Sequence, residues 1–226
     1  MSIPHPSDIS GFLLVDKPTG PTSHDIVDVV RRALKTRRVG HAGTLDPFAT
    51  GLLILAVGKA TKEISKFVGL DKTYEAAIRL GATSDTMDRT GVIEAMACGV
   101  VGEAAVDGIL EKFRGGQLQT PPMYSAKKVG GKKLYELARE GKEIEREPVK
   151  ITVHELELLS YDWPYLKIRA RVSSGTYIRA LAHDIGQALG CGAYPEELRR
   201  TRVGDFDVTN AVAPERVTLT DPRIRL

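Results

Sequence analysis

The chain has 226 residues, 42% of them hydrophobic and 27% charged, which is typical of a globular protein with a sizeable core. Its longest strictly apolar run, at 52–57, is far too short to span a membrane, and the N-terminus carries no signal segment, so we expect neither a membrane protein nor a secreted one. The net charge of +3 conceals two basic clusters without acids, at 31–41 and 127–133. Such clusters favour a polyanionic partner, although most charge runs are only solvated surface.

The first third of the chain predicts a strand, a helix and a second strand. The apolar run 11–15 predicts a buried strand, and Thr22 begins a capping box that predicts a helix, with apolar residues at helical spacing as far as Leu34. A glycine-rich loop at 40–51 follows. The continuous apolar run 52–57 then predicts a strand buried on both faces.

The remainder of the chain interleaves strands and helices without a repeat or a linker. Alternating apolar and polar residues predict a half-buried strand at 73–80. Further helices are predicted at 106–113, at 134–139 and at 178–189, where Gly190 ends the helix, and further strands at 149–159 and 166–172. We therefore predict the α/β (α+β) class, with a mixed, mainly antiparallel central sheet flanked by helices and loops.

Cofactor and metal motifs are missing from the sequence. Gly51, Gly58 and Lys59 have the wrong spacing for a phosphate-binding loop, no GxGxxG occurs, and the five histidines lack metal-ligand spacing. Cys98 and Cys191 are predicted to be free thiols, as in a reducing cytoplasm. We therefore expect no cofactor and no metal, and a reaction carried by side chains alone.

The unusual segment is the loop 40–51, in which three glycines and a proline flank Asp46. Functional residues concentrate on such loops when a rigid core anchors them. Because Asp-Pro also opens many turns, Asp46 fits a turn-capping role equally well at this stage. The acids at 196–197 lie beside Arg199 and Arg200, a pattern that predicts a solvated, salt-bridged surface.

Six blocks, in a fixed order, carry a family signature. They are Lys17-Pro18-x-Gly20-x-Thr22-Ser23, Gly40-His41-Ala42-Gly43-Thr44-Leu45-Asp46-Pro47-x-Ala49-x-Gly51-Leu52-Leu53, Lys72-Thr73-Tyr74 with Leu80-Gly81, Pro121-Pro122-x-Tyr124-Ser125-Ala126-x-Lys128, Gly175-Thr176-Tyr177-Ile178-Arg179, and Leu198-Arg199-Arg200-Thr201-Arg202-Val203-Gly204. Together they extend from about Gly11 to Val212 and resemble the TruB family of tRNA pseudouridine synthases.

The resemblance implies a pseudouridine synthase fold in a single catalytic domain over 1–226, with an N-terminal tail at 1–10 and an RNA-contacting insertion at 120–146. The implied reaction is isomerisation of uridine 55 in the T-arm (TΨC loop) of tRNA to pseudouridine, without metal or cofactor. Many members continue into an RNA-binding PUA domain. Because only about a dozen residues follow Ala213, we expect no C-terminal PUA domain.

The resemblance also implies roles for single residues. Asp46 is the catalytic nucleophile, acting at C1′ directly or while C2′ loses a proton, and both routes stay open. Tyr74 stacks on the target base and is a candidate for taking the C5 proton, although a buried core aromatic also fits its strand. Arg179 pairs with Asp46. Tyr177 and Leu198 line the pocket, and Leu198 fits a helical core equally well.

Further implied residues concern the RNA. His41 fills the place of the flipped base in the RNA stack, and Lys17 and Pro18 support the active-site loop. The phosphates of the T-arm would be contacted by basic residues of the two clusters. These are Arg37, Arg38, Lys127, Lys128, Lys132 and Lys133.

We expect a cytoplasmic monomer that binds tRNA, with no membrane contact and no obligatory protein partner. Three alternatives stay open. A nucleoside or glycoside hydrolase using Asp46 would need a second carboxylate and would release free base. A non-catalytic tRNA-binding and refolding chaperone on the same fold would not need Asp46 at all. The guide-RNA-dependent relatives in box H/ACA particles carry the extra domain.

Overall fold

The structure, a computed structural model, describes residues 9–219, which form two compact units. The first unit takes residues 9–73 and 199–219 of this range, and the second takes Tyr74–Leu198. Of the predicted tail at 1–10, residues 1–8 lie outside the described residues, while Ile9 is buried in the core of the first unit. The prediction of one domain over the whole chain stays a prediction.

The first unit is built around one strand that is covered on both faces. Its elements are β1 (Gly11–Lys17), α1 (Ser23–Ala33), β2 (Val39–Ala42), β3 (Thr50–Val57), a 3-10 helix (Gly58–Glu63), α2 (Ser65–Val68), the start of β4 (Lys72–Leu80), the end of β12 (Ala193–Val203), β13 (Phe206–Asp207) and two 3-10 turns (Val208–Asn210 and Pro214–Arg216). Strands β1 and β2 pair antiparallel with β3, whereas β12 pairs parallel with it.

The side chains of β3 alternate between two apolar clusters, which confirms the predicted burial on both faces. Leu53 and Leu55 pack with β1 and α1, and Leu52 and Ile54 pack on the other side with residues such as Val203. All four leucine and isoleucine side chains are fully buried. This strand therefore gives the loop that precedes it a rigid attachment.

Helix α1 begins as its sequence predicts. The Thr22 hydroxyl accepts a hydrogen bond from the backbone N–H of Asp25, and the Asp25 carboxylate accepts one from the backbone N–H of Thr22. This reciprocal cap satisfies two donors that the first turn of a helix leaves unpaired. Ile26, Val27 and Val30 bury the apolar face of the helix.

The second unit carries the longer hairpins. Its elements are β4 with β5 (Ala82–Ser84), β6 (Ile93–Ala95), α3 (Glu103–Lys112), β7 (Gly115–Gln119), β8 (Lys128–Val129), β9 (Lys132–Lys133), α4 (Leu134–Arg139), β10 (Val149–Asp162), β11 (Tyr165–Val172), α5 (Ile178–Ala188) and the first part of β12. The strand order is β12–β4–β11–β10–β7, and β10 pairs antiparallel with both of its neighbours. Two small hairpins, β5–β6 and β8–β9, stand outside this sheet.

The predicted fold class is confirmed: strands and helices mix, and the sheets are mostly antiparallel. The prediction of a solvated, salt-bridged surface near residue 200 holds for Arg199, whose side chain is 40% exposed and pairs with Asp16 at 2.8 Å, but it is wrong for Arg200, which is only 1% exposed on the buried face of β12. Leu198 lies in this strand, not in a helix core. Within residues 9–219, no helix is long and apolar enough to cross a membrane.

Candidate active site

The loop between β2 and β3 carries Asp46, and the first unit holds this loop through its backbone carbonyl groups. All seven consecutive carbonyl oxygens from residue 43 to residue 49 accept a hydrogen bond. For six of them the donor lies outside the loop; these donors come from Lys17, Thr19, Gly20, Ser23 and Arg200. A loop bound in this way has little conformational freedom, so the backbone beneath the Asp46 side chain is rigid.

Lys17, at the end of β1, is a central donor to this loop. Its fully buried Nζ donates to the carbonyl oxygens of Pro18 at 2.9 Å, Pro47 at 3.2 Å and Ala49 at 2.7 Å, which uses all three of its hydrogens. Burial lowers the pKa of Lys17 to about 8, because the charged amine loses its hydration, while the nearby Asp46 carboxylate opposes that shift. Pro18 itself is exposed.

Arg200 is the second large donor, a role that was not predicted from the sequence. Its Nε donates to Leu52 O at 2.7 Å, Nη1 to Thr44 O at 3.4 Å and Nη2 to Gly43 O at 3.2 Å. The planar guanidinium therefore binds both ends of the turn that leads into β3. The available signal was the two-residue period of β12, which puts Arg200 on the same buried face as Leu198.

Two further titratable groups lie around Arg200. His41, half-buried on β2, has a lowered pKa because of its burial and the Arg200 charge, so its ring is neutral near pH 7. Burial also lowers the pKa of Lys72 to about 8, and Arg200 adds to the shift. The Lys72 Nζ donates to Val68 O at 2.6 Å and Leu70 O at 2.7 Å, and so holds the end of α2.

Asp46 is half-buried on this rigid loop. Its own carbonyl oxygen accepts from Ala49 N at 3.1 Å, which closes the turn, and Ser23 fixes the preceding residue by exchanging two hydrogen bonds with the Leu45 backbone. Asp46 therefore opens a turn, as the Asp-Pro pair predicts, while a capping role of its side chain stays a prediction. A half-buried carboxylate on a fixed turn is also suited to attack a bound substrate as a nucleophile or to stabilise positive charge that develops on it.

In the second unit, Arg179 is buried at the start of α5, with 3% of its surface exposed. Its Nη1 donates to Thr86 O at 2.9 Å and lies 3.4 Å from Asp88 Oδ2, and its Nη2 donates to Tyr124 O at 2.6 Å. These contacts tie α5 to two separate segments of the chain. An arginine this deeply buried requires such compensation, because an isolated charge there would be very costly.

Asp88 is the counter-ion of Arg179, a role that was not predicted from the sequence. It is 4% exposed, and its Oδ1 accepts from Thr86 Oγ1 at 3.0 Å and from the Thr90 backbone N–H at 2.9 Å. The turn that carries it contains Met87 with φ +58°, a backbone conformation that non-glycine residues rarely adopt. The short series of Thr and Asp residues at 85–90 is an Asx-turn signal that could have indicated this structure.

The remaining predicted pocket residues also lie in the second unit. Tyr74 is buried on β4, and Leu198 is 6% exposed on β12. Tyr177 is half-buried and is the N-cap residue of α5, directly before the turn that holds Arg179. Tyr177, Arg179, Tyr74 and Leu198 therefore belong to one unit, while Asp46, His41, Lys17 and Pro18 belong to the other. The pairing of Asp46 with Arg179 stays a prediction.

The predicted phosphate contacts fall into two groups. Arg37 and Arg38 are exposed in the connection that precedes β2. The four lysines lie on or next to the β8–β9 hairpin, whose turn consists of Gly130 and Gly131, both with positive φ. Lys128 and Lys132 are exposed, whereas Lys127 and Lys133 are half-buried.

Two family models match the chain. The TruB family pseudouridylate synthase N-terminal domain matches residues 31–178, which is most of the chain. The chain belongs to the TruB family. The model of the tRNA pseudouridylate synthase B C-terminal domain matches residues 179–221, directly after the first match. The Asp46 loop and Tyr177 thus fall within the first match, and Arg179, Leu198 and Arg200 within the second.

Curated relatives in the TruB family cover almost all of the chain. It is 49% identical over 217 residues to tRNA pseudouridine synthase B of Azoarcus sp. (strain BH72), a match that covers 96% of this chain and 72% of the relative. The protein of the same name from Opitutus terrae is 48% identical, with 91% of this chain and 86% of the relative covered. That of Aquifex aeolicus is also 48% identical, with 92% and 73% covered.

Two solved structures share the fold of this chain. A chain of a Cbf5-Nop10-Gar1 complex is 32% identical with a TM-score of 0.72, and the match covers 90% of this chain and 52% of that chain. A chain of an H/ACA RNP bound to a substrate RNA containing 2′-deoxyuridine is 30% identical with a TM-score of 0.68, with 90% and 50% covered. The present chain thus spans about half the length of these structural relatives.

Proposed function

We propose that this protein is a tRNA pseudouridine synthase that isomerises uridine 55 in the T-arm of tRNA. Family membership and relatives named tRNA pseudouridine synthase B over more than nine-tenths of the chain support this activity. The observation in the structure that carries the proposal is the Asp46 loop, whose seven bound carbonyl groups hold one carboxylate on a rigid turn.

Asp46 is the group that acts on the ribose in this proposal. As the C1′–N1 bond of uridine breaks, positive charge develops at C1′, and a carboxylate stabilises that charge or bonds to C1′, as in retaining glycosidases. The uracil then turns, C1′ bonds to C5, the C5 proton leaves and N1 gains a proton. The product is an isomer of the substrate, so the reaction needs no redox partner.

The second unit supplies the proposed base and charge contacts. Tyr74 stacks on the uracil and is the candidate acceptor for the C5 proton. Arg179, held by Asp88 and by the Tyr124 carbonyl, pairs with the Asp46 carboxylate and keeps it ionised. Tyr177 and Leu198 line the pocket and exclude water, so that the detached uracil is recaptured.

The RNA is bound in the proposal by shape and charge. A base inside a folded loop must be flipped out before any side chain reaches its glycosidic bond. His41, whose neutral ring is suited to stacking, fills the vacated place in the RNA. The exposed Arg37 and Arg38 and the lysines of the β8–β9 hairpin contact T-arm phosphates. We propose further that the enzyme is a cytoplasmic monomer without an obligatory protein partner.

The decisive experiment is the substitution Asp46→Asn. The amide keeps the size of the side chain but cannot form the ester to C1′ or carry the charge. We expect the single-turnover rate on tRNA to fall about a thousandfold or more, which corresponds to about 4 kcal/mol of transition-state stabilisation. Pseudouridine formation is followed by tritium release from C5-labelled tRNA, and tRNA affinity, measured by filter binding, should stay within a few-fold of wild type.

The matched control is Asp107→Asn, which makes the same change on the exposed face of α3. It should leave both the rate and the affinity unchanged. Free uracil in the products would instead indicate a hydrolase. Undiminished tRNA refolding by the Asp46→Asn variant, with no pseudouridine formed by the wild type, would favour the chaperone alternative and refute the proposed activity.

A further inference from the structure

Gln119, the last residue of β7, is a buried polar side chain to which the proposed mechanism assigns no role. It is 3% exposed, and its backbone pairs with Val149 of β10. A primary amide buried this deeply is destabilising unless its donor and acceptor are both satisfied. Both are satisfied here, and by a single residue.

The Gln119 amide binds both backbone polar groups of Tyr177. Gln119 Oε1 accepts from Tyr177 N at 2.8 Å, and Gln119 Nε2 donates to Tyr177 O at 3.1 Å. The two hydrogen bonds act in the same way as a rung between neighbouring strands, because each partner donates once and accepts once. They fix the position of the Tyr177 backbone and its rotation about the axis that joins the two residues.

Tyr177 is the position at which α5 begins, and the helix has no side-chain cap of its own there. At this position the Tyr177 carbonyl oxygen accepts from Leu181 N of the helix at 3.1 Å as well as from Gln119, whereas Tyr177 N is bound from outside the helix by Gln119. Arg179 follows two residues later, and its Nη2 must reach Tyr124 O. Tyr124 lies five residues after Gln119 in the chain. The Gln119 amide therefore links the segment that carries the acceptor, Tyr124 O, to the start of the helix that carries the donor, Arg179.

We propose that Gln119 is a positioning residue for the isomerisation: its amide sets the backbone of Tyr177 and, through the first turn of α5, the position of the Arg179 guanidinium. This inference rests on the proposed function. Gln119 touches neither the substrate nor the reacting atoms in this assignment. Loss of the amide should therefore lower the rate of the chemical step much more than the affinity for tRNA.

The test replaces the Gln119 amide with a carboxyl group, which has the same shape but can gain or lose a proton. In Gln119→Glu, the ionised carboxylate accepts from Tyr177 N but repels Tyr177 O, whereas the protonated acid both accepts and donates, as the amide does. Burial raises the pKa of the introduced carboxyl above its usual value of about 4.3. The variant should therefore lose activity at neutral pH and regain it on acidification.

We expect the single-turnover rate of Gln119→Glu, relative to wild type at the same pH, to be reduced about 100-fold at pH 8, the size of effect that a misplacement of about 1 Å produces. The ratio should recover at least tenfold towards pH 5.5. Gln119→Met, which cannot titrate, should be reduced at both pH values. The affinity for tRNA should change less than threefold in both variants.

Gln117→Glu is the matched control. It makes the same change two residues earlier on β7, where the amide donates to Phe113 O at 2.7 Å, and its rate ratio should stay near one at every pH. Wild-type activity, measured first, tests the proposed function separately. A pH-independent loss in Gln119→Glu, a loss confined to tRNA affinity, or Gln119→Met rates within twofold of wild type would overturn the inference. Failure of both Gln119 variants to fold would also overturn it, because Gln119 would then be only structural.

Discussion

Buried cations in the first unit are compensated to a large extent by backbone carbonyl groups. Lys17 donates to three carbonyl oxygens, Lys72 to two and Arg200 to three. Hydrogen bonds from charged donors contribute about 1.5–3 kcal/mol each, more than neutral ones. The arrangement uses positive charge to fix the backbone of the loop that carries Asp46.

The buried Lys17 predicts a fall in activity with rising pH. Its pKa of about 8 means that the amine loses its proton just above neutral pH. A neutral amine has two hydrogens for three carbonyl acceptors, so the Asp46 loop loosens. We expect the single-turnover rate to decrease from about pH 7.5 to about pH 9 with a midpoint near pH 8, and the Lys17→Met variant to be slower and without that midpoint.

The stability contribution of Lys17 should change in the opposite direction. Because its pKa is lowered on folding, the unfolded chain binds more protons between about pH 8 and about pH 10.5, and this group raises the free energy of unfolding across that window.

Lys72→Met is the control for the predicted fall in rate, since Lys72 has the same pKa of about 8 but does not donate to the Asp46 loop. A fall in rate that survives in Lys17→Met and disappears in Lys72→Met would contradict the assignment.

At the scale of the element, the start of β3 requires glycine at residue 51. Gly51 has φ +105°, and a Cβ there would overlap the Arg200 backbone, with which Gly51 pairs in the parallel ladder. The close approach brings Arg200 near enough to bind Gly43 O and Leu52 O. Substitution at this position would therefore disturb the strand pairing and the Asp46 loop together.

We predict that Gly51→Ala lowers the free energy of unfolding by about 3 kcal/mol, through overlap and a left-handed backbone that alanine disfavours. Gly108→Ala is the matched change in an exposed, open position inside α3, and it should stabilise the protein by about 0.5–1 kcal/mol. Urea unfolding of the two variants measures both values. Equal effects in the two variants would show that the approach of β12 does not constrain β3.

At the scale of the whole molecule, each unit carries part of the proposed machinery, and the phosphate contacts are divided in the same way. Of the hairpin lysines, Lys133 is partly engaged already: its Nζ lies 3.2 Å from Tyr135 Oη and 5.3 Å from the centre of that ring. Lys132 lies 3.7 Å from a Glu140 carboxylate oxygen, but both side chains are mostly exposed, so this pair is weak. In the proposed function the hairpin contributes up to four charges, of which that of Lys133 is partly engaged by Tyr135.

Removing these charges should reduce the salt dependence of tRNA binding. Replacing Lys127, Lys128, Lys132 and Lys133 with Ala should lower the slope of log K against log salt by about two to three, because each lost phosphate contact removes somewhat less than one released counterion. The rate in the saturated complex should change little. Filter binding over a salt series measures the slope, and a second quadruple variant, with Lys62, Lys112, Lys150 and Lys167 replaced by Ala, removes the same number of charges from other exposed positions. An unchanged slope in the first quadruple variant would show that the hairpin lysines are only solvated surface.

Much of the fold could be predicted because the responsible interactions are local in the chain. The Thr22 cap, the helical spacing of α1 and α5, and the alternation of β11 each depend on residues within a few positions of one another. The continuous apolar run of β3 likewise predicts two buried faces, whichever elements cover them. Family blocks then predicted Asp46 as the catalytic residue and predicted the pocket residues, by type and order and without their geometry.

The tertiary structure decided which polar groups meet. Arg200 and the carbonyl of Gly43 are 157 positions apart, and Arg179 and Asp88 are 91 apart. From the sequence, a charged side chain is predicted to be solvated, because burying a charge is costly unless a partner is present. In these pairs the partner is distant in the chain, so the sequence does not reveal it. The sequence by itself therefore determined many of the elements and the family, and it predicted Asp46 as the reacting carboxylate. Only folding could decide that Arg200, Asp88 and Gln119 are buried, since each is stabilised there by groups that the chain brings together from distant segments.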